Sequence, residues 1–198
     1  MTISPNIEIG PYCEAEFTKP RQDCPNPERW STWDIQGTER EVIDMIAGMV
    51  RGLQPNTVLE TGTSRGFMAL AIAESLSDNG QGQIISYEPD FVVWNEAVNR
   101  LASSGVASHT YELLNEPSMS PWSGNAIDFA WFDSLIGLRV KEYEFYSQWF
   151  HSRTIIGFHD TAPHFGGWSA ALERRDDFDM LRLPTPRGVI IGRWVPPY

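Results

Sequence analysis

The chain has little cysteine, little lysine and no long apolar run. Only Cys13 and Cys24 occur in 198 residues, and they are not spaced as a C-x-x-C pair. Neither a disulfide framework nor a zinc knuckle is therefore indicated, and two free thiols are expected in preference to a Cys13–Cys24 bridge. No stretch approaches the length of a membrane-spanning helix. The start, Met1-Thr2-Ile3-Ser4-Pro5, lacks the basic and apolar regions of a secretory signal, so a cytoplasmic location is expected. Basic charge is also scarce: 15 Lys and Arg face 26 Asp and Glu, for a net charge of -11 and a pI near 4.7. Such a surface repels a phosphate backbone, and the arginines are scattered rather than clustered. A nucleic-acid partner is disfavoured on both counts.

What is present describes a globular chain. Hydrophobic residues make up 41% of the sequence, at a mean hydropathy of -0.31, and the length suits one domain with a sizeable core. Residues 1–35 hold Pro5, Pro11, Pro20, Pro25 and Pro27 and show neither helical nor strand period. They read as an irregular arm, yet Tyr12, Phe17, Trp30 and Trp33 are too apolar for a solvated tail. Two readings stand side by side: a loosely packed terminus, and an arm that packs over the active site or over a neighbouring subunit, the latter making a homodimer. Residues 36–198 form the main domain.

There the period becomes readable. Thr38-Glu39-Arg40-Glu41 has the form of a capping box, followed by Val42, Ile43, Ile46, Met49, Val50 and Leu53 on one helical face, with Gly52 and Pro55 at the end. Asp90 is expected to cap a helix that stops at Gly105. A strand over residues 109–114 and a loop over 115–125 follow. Further helices are expected at about 138–150 and 168–175. Strands end at Glu60, Glu88, Asp133 and Asp160. Two last strands meet at Pro184-Thr185-Pro186, a turn too short for a helix, so they should be antiparallel. Alternating strands and helices predict a parallel sheet with helices on both faces and every strand's carboxyl end on one rim. Open sheets of this kind bind ligands there.

The most specific segment is Val58-Leu59-Glu60-Thr61-Gly62-Thr63-Ser64-Arg65-Gly66, an apolar strand running into a glycine turn and then a helix. Glycine lets the backbone turn and approach a ligand, and the helix points its free N–H groups back at the turn. The next strand, Gln83 to Tyr87, ends in Glu88, where a carboxylate can accept both hydroxyls of a ribose. Together they describe a nucleoside-binding half-sheet. The spacing is E-x-G-x-x-x-G, with Ser64 where a dinucleotide site would place its middle glycine.

That pattern resembles the first motif of class I S-adenosylmethionine (SAM) dependent methyltransferases. Ile127 to Asp133 is similar to the family's fourth strand. Thr154 to Thr161 is similar to the fifth, with the His159-Asp160 ending of a small-molecule O-methyltransferase branch. Leu181 to Gly192 is similar to that branch's terminal hairpin, and the resemblance covers about residues 36–194. It implies a Rossmann-like methyltransferase fold, a mostly parallel seven-stranded sheet closed by an antiparallel hairpin, and a small-molecule acceptor such as a secondary metabolite or sugar hydroxyl. It also implies cofactor contacts from Glu60, Thr61, Gly62, Thr63, Ser64, Gly66, Glu88 and Asp133. Glu60 would orient the amino-acid end of SAM, and Asn115 and Glu116 would lie at the adenine.

On the acceptor side, His159, Asp160 and Asp133 are the candidate catalytic residues. In the branch, the positions of Asp133 and Asp160 carry metal ligands, which would let Mg²⁺ lower the pKa of the acceptor hydroxyl. The branch usually reads D-G-D-H after the fourth strand, whereas Asp133 is followed here by Ser134-Leu135-Ile136. The missing acid and histidine favour a metal-free mechanism with His159 as general base. Trp131 and Trp149 read as core, and Trp30, Trp33, Trp122 and Trp168 as aromatic walls near the rim. The competing readings are an NAD-dependent oxidoreductase and a non-catalytic protein that binds SAM or S-adenosylhomocysteine (SAH).

Overall fold

Short apolar runs with residues of alternating direction build a central sheet that is buried on both faces. In the computed structural model, which describes residues 13–14, 23–33 and 37–196, the main sheet has seven strands. The strands are β1 (Cys13–Glu14), β2 (Ser31–Thr32), β3 (Thr57–Thr61), β4 (Gln83–Tyr87), β5 (Tyr111–Leu114), β6 (Ile127–Phe132), β7 (Phe150–Phe158), β8 (Phe178–Leu183) and β9 (Val189–Trp194). The helices are α1 (Arg40–Leu53), α2 (Phe67–Asn79), α3 (Phe91–Ser104) and α4 (Arg139–Tyr146). The main sheet runs β5-β4-β3-β6-β7-β9-β8, while β1 and β2 pair separately. Strands β3 to β7 pair in parallel, and β9 runs antiparallel to both β7 and β8.

The strand period of two sorts the core into two layers. Val58, Ile84, Phe129 and Trp131 face α1 and α2, with Leu101 of α3. Leu59, Ile85, Ala130, Phe132 and Phe158 face α4 through Tyr143 and Tyr146. Helices thus cover both faces, and the carboxyl ends of β3, β4, β6 and β7 meet at one rim.

Several local expectations are redirected by tertiary partners. Helix α1 starts at Arg40 after Glu39, without a side-chain cap. Thr38 donates instead to Asp133, and Glu41 accepts from the amide and hydroxyl of Ser31. The helix runs through Gly52 and ends at Gln54, in the left-handed region at φ 51°. Asp90 does cap α3, accepting from the amides of Val92 and Val93, and Gly105 ends it. The third strand begins only at Tyr111, after a short 3₁₀ turn, and β7 begins at Phe150, earlier than the sequence suggests. The segment 168–174 is 3₁₀ rather than α-helical. The arm's boundary between residues 35 and 36 lies outside the described residues, as do Tyr12 and Phe17. Trp33 stacks on Phe67 of α2 at 5.1 Å, so the arm's second half joins the first core layer. Cys24 is buried, and its Sγ donates to the Pro25 carbonyl at 3.8 Å.

Candidate functional site

At the carboxyl ends of β3, β4 and β6 the backbone opens into a cavity of about 760 Å³. Gly62, Thr63, Ser64, Glu60, Glu88, Asp133 and Asp160 line it. Ile43, Phe67, Met68, Met119, Leu135 and Ile136 supply an apolar remainder. The turn after β3 is set by close approach. Gly62 lies at φ 84°, and a Cβ there would stand 2.6 Å from the carbonyl oxygen of Asp133. Only glycine allows this turn to pass beneath the end of β6.

Glu88 is fixed before any ligand arrives. One carboxylate oxygen accepts from the Ser64 amide at 2.9 Å, the other from the Asp90 amide at 3.0 Å. Both oxygens retain lone pairs, and the residue is half-buried. Glu60 is more deeply set, at 1% exposure, and accepts from the Ser86 hydroxyl. Burial raises its pKa. The Ser86 hydrogen bond opposes this, the charges of Asp133 and Glu88 add to it, and the net value is about 8.

A second constellation lies behind Asp133. His159 is 1% exposed, with Nε2 2.6 Å from Glu39 Oε2 and Nδ1 3.1 Å from Asp133 Oδ1. Burial alone would lower its pKa, but the charges of Asp133, Asp160 and Glu39 outweigh that and push it up to about 10. The ring is therefore an imidazolium that donates from both nitrogens. Burial would also raise the Glu39 and Asp160 carboxyls. The His159 charge holds Glu39 below its ordinary value, and His159, Arg187 and Arg139 hold Asp160 well below. Asp160 adopts φ 53°, a conformation that costs about 1–3 kcal/mol outside glycine. Arg187 Nε at 2.5 Å and Arg139 Nη2 at 2.9 Å hold its carboxylate there. Among the described residues, three carboxylates thus face three buried cations.

The structure brings Glu60, Gly62, Thr63, Ser64, Glu88, Asp133 and Asp160 to the cavity and leaves other expected residues outside it. Thr61 points into the core, where its hydroxyl donates to Glu142. Gly66 caps α2, and its missing Cβ makes room for Ala97 of α3 rather than for a ligand. Asn115 is exposed and donates to the Glu88 and Pro89 carbonyls, and Glu116 is also exposed. From this loop, Pro117, Ser118 and Met119 line the cavity. His159 does not line the cavity, and neither nitrogen has a free lone pair. The tryptophans are walls of the core instead: Trp122 is buried against Tyr146, and Trp168 donates to the Asp160 carbonyl.

Asp133, His159 and Asp160 offer ligand atoms within 4.8 Å of one another. Asp133 Oδ1, however, accepts from Arg139 and His159, and its Oδ2 accepts from Thr38. Asp160 accepts from Arg187 on one oxygen and Arg139 on the other. A hard dication needs carboxylate oxygens converging on it, and an imidazolium has no lone pair to give. These residues do not fit the expected Mg²⁺.

Glu39, Arg139 and Arg187 carry this arrangement and were missed from the sequence. The one available signal was compositional: arginine is the residue that serves buried ion pairs, and the chain uses it almost to the exclusion of lysine.

Comparison by sequence finds no matching protein family and no matching curated protein. Comparison by structure finds many. An SAH-bound methyltransferase from Podospora anserina superposes with a TM-score of 0.69 at 20% identity, over 81% of each chain. A putative O-methyltransferase from Klebsiella pneumoniae gives 0.70 at 16% identity, over 82% of this chain and 84% of its own. The O-methyltransferase TomG from Streptomyces achromogenes, involved in tomaymycin synthesis and in complex with SAM, gives 0.67 at 14% identity, over 81% and 82%. The chain shares the Rossmann-like fold of these enzymes.

Proposed function

We propose that the rim cavity binds SAM and that the protein transfers its methyl group to a hydroxyl of a small molecule. The observation that carries this reading is Glu88. Its two carboxylate oxygens are held by the Ser64 and Asp90 amides at the mouth of a cavity floored by the Gly62 turn. A ribose diol presents two donors at the spacing of one carboxylate, and the acid is oriented in advance to accept both. SAM- and SAH-bound methyltransferases of the same fold support the choice of nucleoside.

When bound, SAM supplies an activated methyl on a sulfonium, and the acceptor oxygen forms a bond to that carbon as the carbon–sulfur pair leaves with sulfur. The protein's task is then alignment and removal of the acceptor proton. Asp133 and Asp160 are the members of the candidate catalytic set that line the cavity, and Asp133 is the more exposed carboxylate, at 15% against 6%. Thr38, Arg139 and His159 hold its carboxylate in place. His159 and Asp160 position it from behind, rather than His159 acting as the base itself. The apolar wall from Ile43, Phe67, Met119, Leu135 and Ile136 suits an uncharged acceptor with an apolar body. No helix among the described residues is long and apolar enough to cross a membrane, in keeping with such a substrate met in water. The cytoplasmic location and a homodimer formed through the arm belong to the same reading.

A thermal-shift comparison tests it. SAM or SAH should raise the melting temperature, and NAD should not. Stabilisation by NAD alone would favour the oxidoreductase reading. Methyl loss from SAM only in the presence of a hydroxyl acceptor separates an enzyme from a binding protein.

A further inference from the structure

We infer that the guanidinium of Arg139 occupies the position a divalent cation would take between the ends of β6 and β7. Arg139 is then a positioning residue, and the site works without a metal. The Nη2 group of Arg139 lies 2.9 Å from Asp133 Oδ1 and 2.9 Å from Asp160 Oδ2, bridging one carboxylate from each strand end. It is not a side chain that can swing aside. Its Nε donates to the Ser134 carbonyl at 2.9 Å, and its Nη1 donates to the His159 carbonyl. The side chain is 3% exposed and its guanidinium stands over the Trp168 ring. A guanidinium keeps its charge and presents a rigid fork, so it can join two acids as an ion would.

The charge balance points the same way. Among the described residues, Asp133 and Asp160 already face the guanidinium groups of Arg139 and Arg187. A dication added to this buried set would leave positive charge without a partner, unless Arg139 first gave up four hydrogen bonds. The consequence for the site is geometric. Arg139 opens α4 and ties back to Ser134, which pins the loop 134–138 that walls the cavity. Acceptor deprotonation then falls to Asp133, with no ion to lower the hydroxyl pKa. This rests on the proposed methyl transfer only for the identity of the acceptor, because cation binding is measured without SAM.

The test is a Mn²⁺ titration of the full chain followed by electron paramagnetic resonance. The wild type should show no saturable Mn²⁺ site, and its methyl transfer should be unchanged by EDTA. A saturable site in the wild type, or turnover lost to EDTA and restored by Mg²⁺, would overturn the inference. Arg139→Ala, if folded, should gain one saturable Mn²⁺ site that Asp160→Asn added to it removes. A folded Arg139→Ala without that gain also overturns the claim that Arg139 holds a cation's place. Should Arg139→Ala fail to fold, the wild-type measurements decide alone. A wild type that binds neither SAM nor SAH by calorimetry would refute the proposed function while leaving the Mn²⁺ result readable.

Discussion

His159 Nε2 lies 2.6 Å from Glu39 Oε2 across 120 residues of sequence, with both side chains sealed from solvent. This pair ties the start of α1 to the end of β7. Glu39 also accepts from the Arg187 amide at 2.8 Å, which adds the terminal hairpin to the same knot. Three distant segments are thus joined directly behind Asp133.

Removing one partner of that pair leaves the other charged and buried. Glu39→Ala is expected to lower the unfolding free energy by about 3–5 kcal/mol, the usual cost of breaking a buried pair from one side. Urea unfolding measures it. A loss of well under 1 kcal/mol would mean that Glu39 is replaceable by water.

The pH dependence of stability follows in sign. His159 has a folded pKa near 10 against an ordinary 6.5, so its contribution is complete below pH 6.5 and is lost as pH rises toward 10. Glu39 and Asp160 have lowered values, so theirs is present above pH 4.5 and lost on acidification. Melting temperature should therefore be highest between those limits and fall on both sides. Nuclear magnetic resonance of the His159 ring supplies the direct check. A titration midpoint near 6.5 contradicts the account.

Gly62 is expected to be intolerant for a folding reason. A Cβ at φ 84° and 2.6 Å from the Asp133 carbonyl oxygen must displace the end of β6. Gly62→Ala should lose about 1–3 kcal/mol from the positive φ alone, with more from the clash, and without any ligand present. Chemical denaturation of the ligand-free protein measures this. An unchanged stability together with lost SAM affinity would restore the cofactor as the reason for the glycine.

The parts of this architecture that are local were legible in the sequence. The strand of Val58 and Leu59, the glycine turn, the Asp90 cap and the short turn between β8 and β9 each follow from a few adjacent residues. So does the rim that gathers Glu60, Glu88, Asp133 and Asp160. The capping box was misread because Thr38 and Glu41 have stronger partners far away, in Asp133 and Ser31. His159 looked like a base because histidine ordinarily titrates near neutrality; Asp160 is its neighbour in sequence, but Asp133 and Glu39, which hold its two ring nitrogens, lie 26 and 120 residues away. Arg139 and Arg187 are isolated in the chain, and only the fold brings them together on Asp160.

Glu60 is expected to release a proton when SAM binds. With a pKa of about 8 it is largely protonated at pH 7, and the cationic methionine end of SAM would favour its carboxylate. Affinity should then rise with pH up to about 8, and calorimetry in buffers of different ionisation enthalpy should report protons released at pH 7. Glu60→Gln should abolish that release. Identical heats in all buffers would place the ammonium elsewhere.

Calorimetry of SAM binding to the wild type and to Glu88→Ala addresses the central claim most directly. Glu88 is held by two backbone amides at the cavity mouth and has no buried charged partner, so its removal should leave the fold intact. The account predicts a folded variant whose SAM affinity is weaker by about 1.5–3 kcal/mol, roughly ten- to hundredfold in Kd. Unchanged SAM affinity in a folded Glu88→Ala variant would contradict it.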